Sequence, residues 1–263
     1  MLLFRHHQSH PYDMDSGNVD SLIDPSALVS VKISASRNLD GFSFSPAITR
    51  AQRREAEHLL SSALLSLSGN GSESLGKYIS FMTASAEDQA LLKDVKVNTA
   101  RRCKHAESAG ILRDWPDSRG AFVSTDKAVV AVVNGMDQLN VSVTSTKSLS
   151  SAYEQLNGIL RGVEASLSTG GSGFLHTDHL GFVTTSPRQL GTALIATVEL
   201  YLPHVSQRTD LDRLGTNLGV KISPANGNVV VSANSVLGHS EAQQLRHLAH
   251  AAAALVGIEH AKA

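Results

Sequence analysis

Cysteine is nearly missing from this chain of 263 residues: Cys103 stands alone. An intramolecular disulfide framework and any multi-thiolate metal site are thereby excluded, and a reducing compartment, by default the cytosol, is expected. Excess charge of one sign is missing too. The formal net charge is -1, with 23 basic and 24 acidic residues, and the basic ones are scattered rather than gathered in a run. No electrostatic footprint for nucleic acid is present. Long apolar runs are lacking as well: only four apolar residues precede Arg5, too few for a signal-peptide core or a membrane span. No internal repeat is visible.

What is present is enough apolar material for a core, at 41% hydrophobic residues. Residues 1–23 read as a flexible leader, and the polar setting of His6, His7 and His10 favours a tail over a metal site. Residues 24–263 then form one domain. Within it Val29, Val31 and Ile33 alternate with Ser30, Lys32 and Ser34, the period of a half-buried strand over 28–36. Thr49 caps a helix over 50–67 that is stopped by Gly69-Asn70-Gly71. Residues 72–110 carry weak helical periodicity with a solvated basic cluster of Arg101, Arg102 and Lys104.

Runs at 128–133 and 139–144, joined by Asn134-Gly135-Met136-Asp137, predict an antiparallel hairpin. An amphipathic helix follows from Leu149 to Val163 and breaks at Thr169-Gly170-Gly171-Ser172-Gly173, which reads as a linker rather than a nucleophile turn. Strands are expected at 180–185 and 193–202, with His176 and His179 in the turn before the first. A short helix at 211–218, a strand pair across Asn226-Gly227 and a Ser240-capped helix through Ile258 complete the chain. Hairpins outnumber βαβ units, so an α+β fold with a large, mostly antiparallel sheet flanked by helices is expected.

Four blocks add to this. The first contains Asp24-Pro25, Ser30, Arg37, Leu39, Gly41, Phe42 and Phe44; the second Arg113, Trp115, Pro116, Arg119 and Gly120. The third runs from Asn134 to Asn140, and the fourth is LGFVTTSPRQLGT from Leu180 to Thr192. In this order they resemble the C-terminal catalytic domain of the phosphagen (guanidino) kinases, from about Val19 to Ile258. The resemblance implies that family's glutamine-synthetase-like fold, without its small helical N-terminal domain.

It also implies where a site would lie. Phosphoryl transfer from ATP to a guanidinium asks the protein to neutralise phosphate charge and to align the attacking nitrogen. The family's phosphate-binding arginines fall on Lys32, Ser34, Asn140 and Ile195, and a fifth lies in a loop with no counterpart in Val220–Asn228. Lys32, Ser34, Arg37, Asn140 and Ile195 are thus identified as a vestigial nucleotide cleft. Met136 and Ser186, at the positions of a glutamate and a reactive cysteine, form a vestigial guanidino site. Met cannot balance a guanidinium charge, and one transition-state arginine can be worth about 10³–10⁵ in rate. The resulting expectation is a catalytically inactive protein with no catalytic residue, no metal and no cofactor. It would serve as a structural or interaction component with protein partners such as tubulin or other cytoskeletal proteins, on a flagellar axoneme. The alternatives are an active guanidino or protein-arginine kinase using ATP or ADP with Mg²⁺, and a nucleotide sensor. Arg37, Arg113 and Arg119 can equally be spent on carboxylates or backbone carbonyls.

Overall fold

One strand orders the rest. Val31, Ile33 and Ala35 are buried while Lys32 is exposed and Ser34 half-buried, so the strand β1 (Leu28–Arg37) has one apolar and one polar face. The computed structural model describes residues 19–67, 75–97, 104–146, 148–233 and 238–261. Further strands are β2 (Gly76–Ser80), β3 (Gly120–Ser124), β4 (Val129–Val133) and β5 (Leu139–Ser145). The two-residue strands β6 (His176–Thr177) and β7 (Gly181–Phe182) form a separate ribbon. After them come β8 (Leu194–Tyr201), β9 (Val220–Ala225) and β10 (Asn228–Ala233). An eight-stranded sheet runs β2-β3-β4-β5-β1-β8-β10-β9, every neighbouring pair antiparallel.

The apolar face of that sheet is covered by α1 (Arg50–Leu65), α4 (Leu149–Thr169) and α7 (Glu241–His260). Thr49 and Ser240 close capping boxes with Gln52 and Gln243, and Ser148 caps α4, so all three helices start where a side-chain oxygen can take an orphan N–H. Their apolar stripes meet Val31, Ile33, Val141, Val143, Val198 and Val231 in one continuous core. Among the described residues the opposite face is covered by a helix at one end only. There α2 (Ala86–Asp94) sets Leu92 against Ile79, Ala121 and Val123. Three shorter helices, α3 (Lys104–Ser108), α5 (Pro203–Ser206) and α6 (Leu211–Leu218), fill the periphery.

The expected sheet, hairpin, long helices and final strand pair are all present. Three expectations change. Residues 72–110 contain the edge strand β2 as well as helix, and β3 was not foreseen. All five residues of β3 are buried, which erases the alternation that marks a strand. The strand expected at 180–185 shrinks to Gly181–Phe182. Finally, Val19 and Ile23, within the expected leader, are packed in the core, and Asp20 caps α4 by accepting from the amides of Leu149 and Ser150. Residues 1–18, the Gly69-Asn70-Gly71 stop, Arg101, Arg102 and Cys103 lie outside the described residues.

Leu160 on α4 is 0% exposed in the main cluster. Leu160→Ala should lower unfolding free energy by about 2–5 kcal/mol in urea titration, while Met82→Ala, at a position 65% exposed, should leave it within about 0.5 kcal/mol.

Candidate functional site

The uncovered half of the polar face is built by register. Lys32 on β1 stands opposite Thr144 on β5 and Thr197 on β8. Ser34 stands opposite Ser142 and Ile195, and Ser36 opposite Asn140, whose Nδ2 donates to the Ser36 Oγ at 3.0 Å. Directly opposed residues share a face, so four of the five residues assigned to a nucleotide cleft, Lys32, Ser34, Asn140 and Ile195, are brought together. Their surroundings are rich in hydroxyls and hold one cation on the central strand. Burial, and secondarily the nearby Lys96, hold the Lys32 ammonium below its ordinary value.

Arg37 is not part of that face. It occupies an odd position on β1, opposite Leu139, and is 0% exposed. Its Nη1 donates to the carbonyls of Ser36 at 2.8 Å and Thr192 at 3.2 Å, and its guanidinium stacks 3.5 Å from the centre of the Phe182 ring. Nη2 lies 4.0 Å from Oε1 of Glu241, whose Oε2 accepts from the Tyr153 hydroxyl. Arg37 thus fastens the 182–192 loop to β1 and to the start of α7 from inside the core. Thr192 adds a second tie, its Oγ1 donating to Gln244 at 3.0 Å.

The guanidino-site pair, Met136 and Ser186, sits on two segments joined by one carboxylate. Asp137 Oδ1 accepts from the Thr185 amide at 2.7 Å and from Asn38 Nδ2 at 2.8 Å. Asn38 in turn donates to the Val183 carbonyl, and its Oδ1 accepts from the Gln138 amide. Met136 and Ser186 are sequence neighbours of this junction, one on each of the two joined segments. Met136 is 53% exposed. The Ser186 carbonyl accepts from the Thr184 hydroxyl, which shapes the turn through Pro187–Gln189. The loop closes because Gly181, at φ 65°, lies so near Gly191 that a Cβ would come within 2.5 Å of the Gly191 carbonyl oxygen.

Arg113 and Arg119, from the second matched block, are spent on backbone. Arg119 is buried and donates to the carbonyls of Asn134, Asp117, Ile111 and Arg113, its pKa pushed down to about 10 by burial and by Arg53. Arg113 donates to the Ile48 carbonyl. Asn134 donates to the carbonyls of Arg53 and Ser118, so the turn before Met136 is pinned from behind. Arg188 is exposed on the loop. His176 is part of β6 and meets the edge of Phe182. Among the described residues no group of three or more His, Cys, Asp or Glu side chains could hold a metal, and no helix is long and apolar enough to cross a membrane.

Sequence reading missed Lys96, Glu241, Tyr153 and the Asn38–Asp137–Thr185 junction. Asp137 could have been found: it belongs to a matched block, in a turn where a carboxylate has two neighbouring segments to tie.

The chain is similar to known proteins along most of its length. A family model described as the ATP:guanido phosphotransferase, C-terminal catalytic domain, matches residues 55–262. An arginine kinase of Stichopus japonicus is 28% identical over 268 residues, covering 97% of this chain and 72% of that protein. A creatine kinase M-type of Torpedo marmorata is 30% identical over 264 residues, covering 95% of this chain and 68% of that one. Among solved structures, lombricine kinase superposes with a TM-score of 0.85 at 22% identity, over 91% of this chain and 68% of that chain. The duplicated taurocyamine kinase from Schistosoma mansoni with bound transition state analog components gives 0.83 at 24% identity, over 96% of this chain and 35% of that one.

Two expectations fall with these matches. A catalytically inactive chain was expected, yet the relatives are enzymes, arginine and creatine kinases. A chain without cofactor was expected, yet the family is one of ATP-dependent phosphotransferases. The inference had counted charges lost at aligned positions and ignored cations that other elements bring to the same face. The microtubule and axoneme expectation finds no support in the fold or in the relatives.

Two measurements probe the junction and the buried carboxyl beneath the loop. Asp137→Ala should cost about 2–4 kcal/mol, since it strands two buried donors, and should speed tryptic cleavage at exposed Arg188; Asp137→Asn, which keeps the acceptor oxygen, should cost less in both assays. Burial raises the Glu241 carboxyl above its ordinary value of 4.5, against the opposing pull of Tyr153 and Arg37. A carboxyl raised in the folded state holds its proton more tightly there than in the unfolded chain. Its contribution is therefore present below pH 4.5 and lost as pH rises through the folded value. Urea midpoints taken across that window should fall more for the wild type than for Glu241→Gln.

Proposed function

The chain belongs to the ATP:guanido phosphotransferase family, and from that premise we propose that it transfers a phosphoryl group from ATP to a guanidino nitrogen. The observation that carries the reading is the match over residues 55–262 combined with an uncovered polar face that holds Lys32 on its central strand. Lys32 serves as the point charge on the phosphates. Ser34, Ser142, Thr144 and Thr197, which flank it by register, are hydroxyl donors to phosphate oxygens. This grip differs from the arginine set that the resemblance implied, because Ser34, Asn140 and Ile195 carry no charge.

ATP, when bound, supplies the transferable phosphoryl group, and magnesium arrives on its phosphates and waters rather than in a protein cage. The acceptor guanidine lies beside Met136 and Ser186, on the two segments that Asp137 ties together. Asp137 and Glu199 are the carboxylates bordering the face. Each already accepts two bonds, Asp137 from Asn38 and Thr185 and Glu199 from Ser30 and Asn228, so both position neighbours. With Met136 exposed beside that junction, the acceptor is gripped through its alkyl portion.

ATP consumption should be assayed with arginine, creatine, lombricine, taurocyamine and an arginine-bearing protein as acceptors. Phosphoryl transfer to at least one of them is expected, falling by about 100-fold or more in Lys32→Ala. Failure of transfer to every acceptor would sink the reading.

A further inference from the structure

The tail of α2 brings a second ammonium group to the open face. Helix α2 lies over β2, β3 and β4 on the same side of the sheet as Lys32, held by Leu92 against Ile79, Ala121 and Val123. Past its last turn the chain does not leave the sheet. The Val95 amide donates to the Leu91 carbonyl at 3.0 Å and the Val97 amide to the Leu92 carbonyl at 2.8 Å. Val95 and Val97 pack on the same small cluster as Val132. Val132 stands opposite Asn140, which stands opposite Ser36, two positions from Ser34 on the open face. Lys96 is fixed between these two anchored valines in a left-handed conformation, φ 59°, and its side chain is exposed. The end of α2 is also placed by Asp94, which holds Lys127 at 2.7 Å, and beside Lys127 the Ala128 carbonyl accepts from the amide of Thr144, the residue opposite Lys32. The lowered proton affinity of Lys32, due first to desolvation and second to Lys96, agrees with that placement.

Among the described residues the two ammonium groups have no counterion. Among the described residues neither has a carboxylate within 4.0 Å, although α2 carries acidic side chains. Asp88 is taken by Lys77 at 2.7 Å and Asp94 by Lys127 at 2.7 Å. Two like charges brought together from separate elements, with the local carboxylates bound elsewhere, repel each other. An anion placed between them turns that repulsion into attraction. Hydroxyls at Ser34, Ser142, Thr144 and Thr197 surround Lys32 by register and offer donors to several oxygens at once. An anion with many oxygens and more than one charge fits this arrangement better than a single carboxylate.

We propose that Lys96, on the tail of α2, is a polyphosphate-binding residue that works with Lys32 on β1, the two ammonium groups gripping one phosphate chain from two elements. In naming the chain as that of a nucleotide the proposal rests on the phosphotransferase reading; the grip itself does not. It supplies the face with a second positive charge from a segment that the matched blocks do not include.

The test is calorimetric binding of inorganic tripolyphosphate and, separately, of MgADP. The proteins are the wild type, Lys96→Ala, Lys96→Arg, Lys32→Ala and, as a surface control, Arg246→Ala, exposed on α7 at the other face of the sheet. Lys96→Ala and Lys32→Ala should each weaken both ligands by about 5- to 20-fold, equivalent to about 1–2 kcal/mol. Lys96→Arg, which keeps the charge, should restore most of the affinity, and Arg246→Ala should match the wild type. Equal binding by Lys96→Ala and wild type would overturn the proposal while leaving the phosphotransferase reading intact. Lysine-dependent tripolyphosphate binding without phosphoryl transfer to any acceptor would do the reverse. No binding of either ligand to the wild type at millimolar concentration would remove the proposal, and unchanged thermal melts of the variants guard against misfolding as the cause of a loss.

Discussion

The parity of β1 is the constraint on which the remaining structure depends. Val31, Ile33 and Ala35 face the core, so Lys32, Ser34 and Ser36 must face the other way. Antiparallel register then propagates this choice across the sheet. Asn140, Ser142 and Thr144 on β5 and Ile195 and Thr197 on β8 join the even face, while Leu139, Val141, Val143, Leu194, Ala196 and Val198 join the core. A slip of one residue would exchange the two sets, moving a lysine into the core and valines into water. Because α1, α4 and α7 all cover the apolar face and only α2 covers an end of the other, the site is the part of the sheet that no helix occupies.

Irregular chain around that open face needs its own support, and buried arginines supply it. The segments 110–119, 134–138 and 182–192 lack the ladders that would satisfy their carbonyls. Arg119 donates to four carbonyls in the first two segments, and Arg37 donates to Thr192 in the third. Guanidinium suits the task because it presents five donors in a rigid plane and stays charged when desolvated. Phe182 and Trp115 lie beside Arg37 and Arg119, so aromatic faces take over part of the solvation that water would have given. These arginines hold the irregular segments from the inside.

That division explains what could be read from the residues. β1, the 129–145 hairpin, α4 and α7 were legible because each has one buried and one exposed face, which leaves a period in the sequence. β3 was not, since burial on both faces removes the period. Lys32, Ser34, Asn140 and Ile195, grouped by resemblance, fall on one sheet face, and strand parity alone would have separated Arg37 from them. Lys96 was out of reach: it follows a short helix of weak pattern, and its position is set by Val95 and Val97 packing on a sheet whose strands β2 and β3 had not been recognised. Counting charge at the matched positions alone leaves out charge that an element outside the matched blocks brings to the same side of the sheet.

The same geometry sets which changes the fold tolerates. Residues on the open face of β1, β5 and β8 contribute hydroxyls and one ammonium but almost nothing to the continuous core, so exchanging an arginine there for Ser34, Asn140 or Ile195 removes no packing. Arg37 and Arg119 have no such freedom, for their loss would leave inward-turned carbonyls without donors. Gly181 is held by a steric limit, since any side chain would meet the Gly191 backbone. A phosphate grip can consequently be rebuilt from lysines and hydroxyls while the loop, turn and buried arginines stay in place. Packing and backbone bonds fix the scaffold of this face, whereas the residues that line it are free of both constraints.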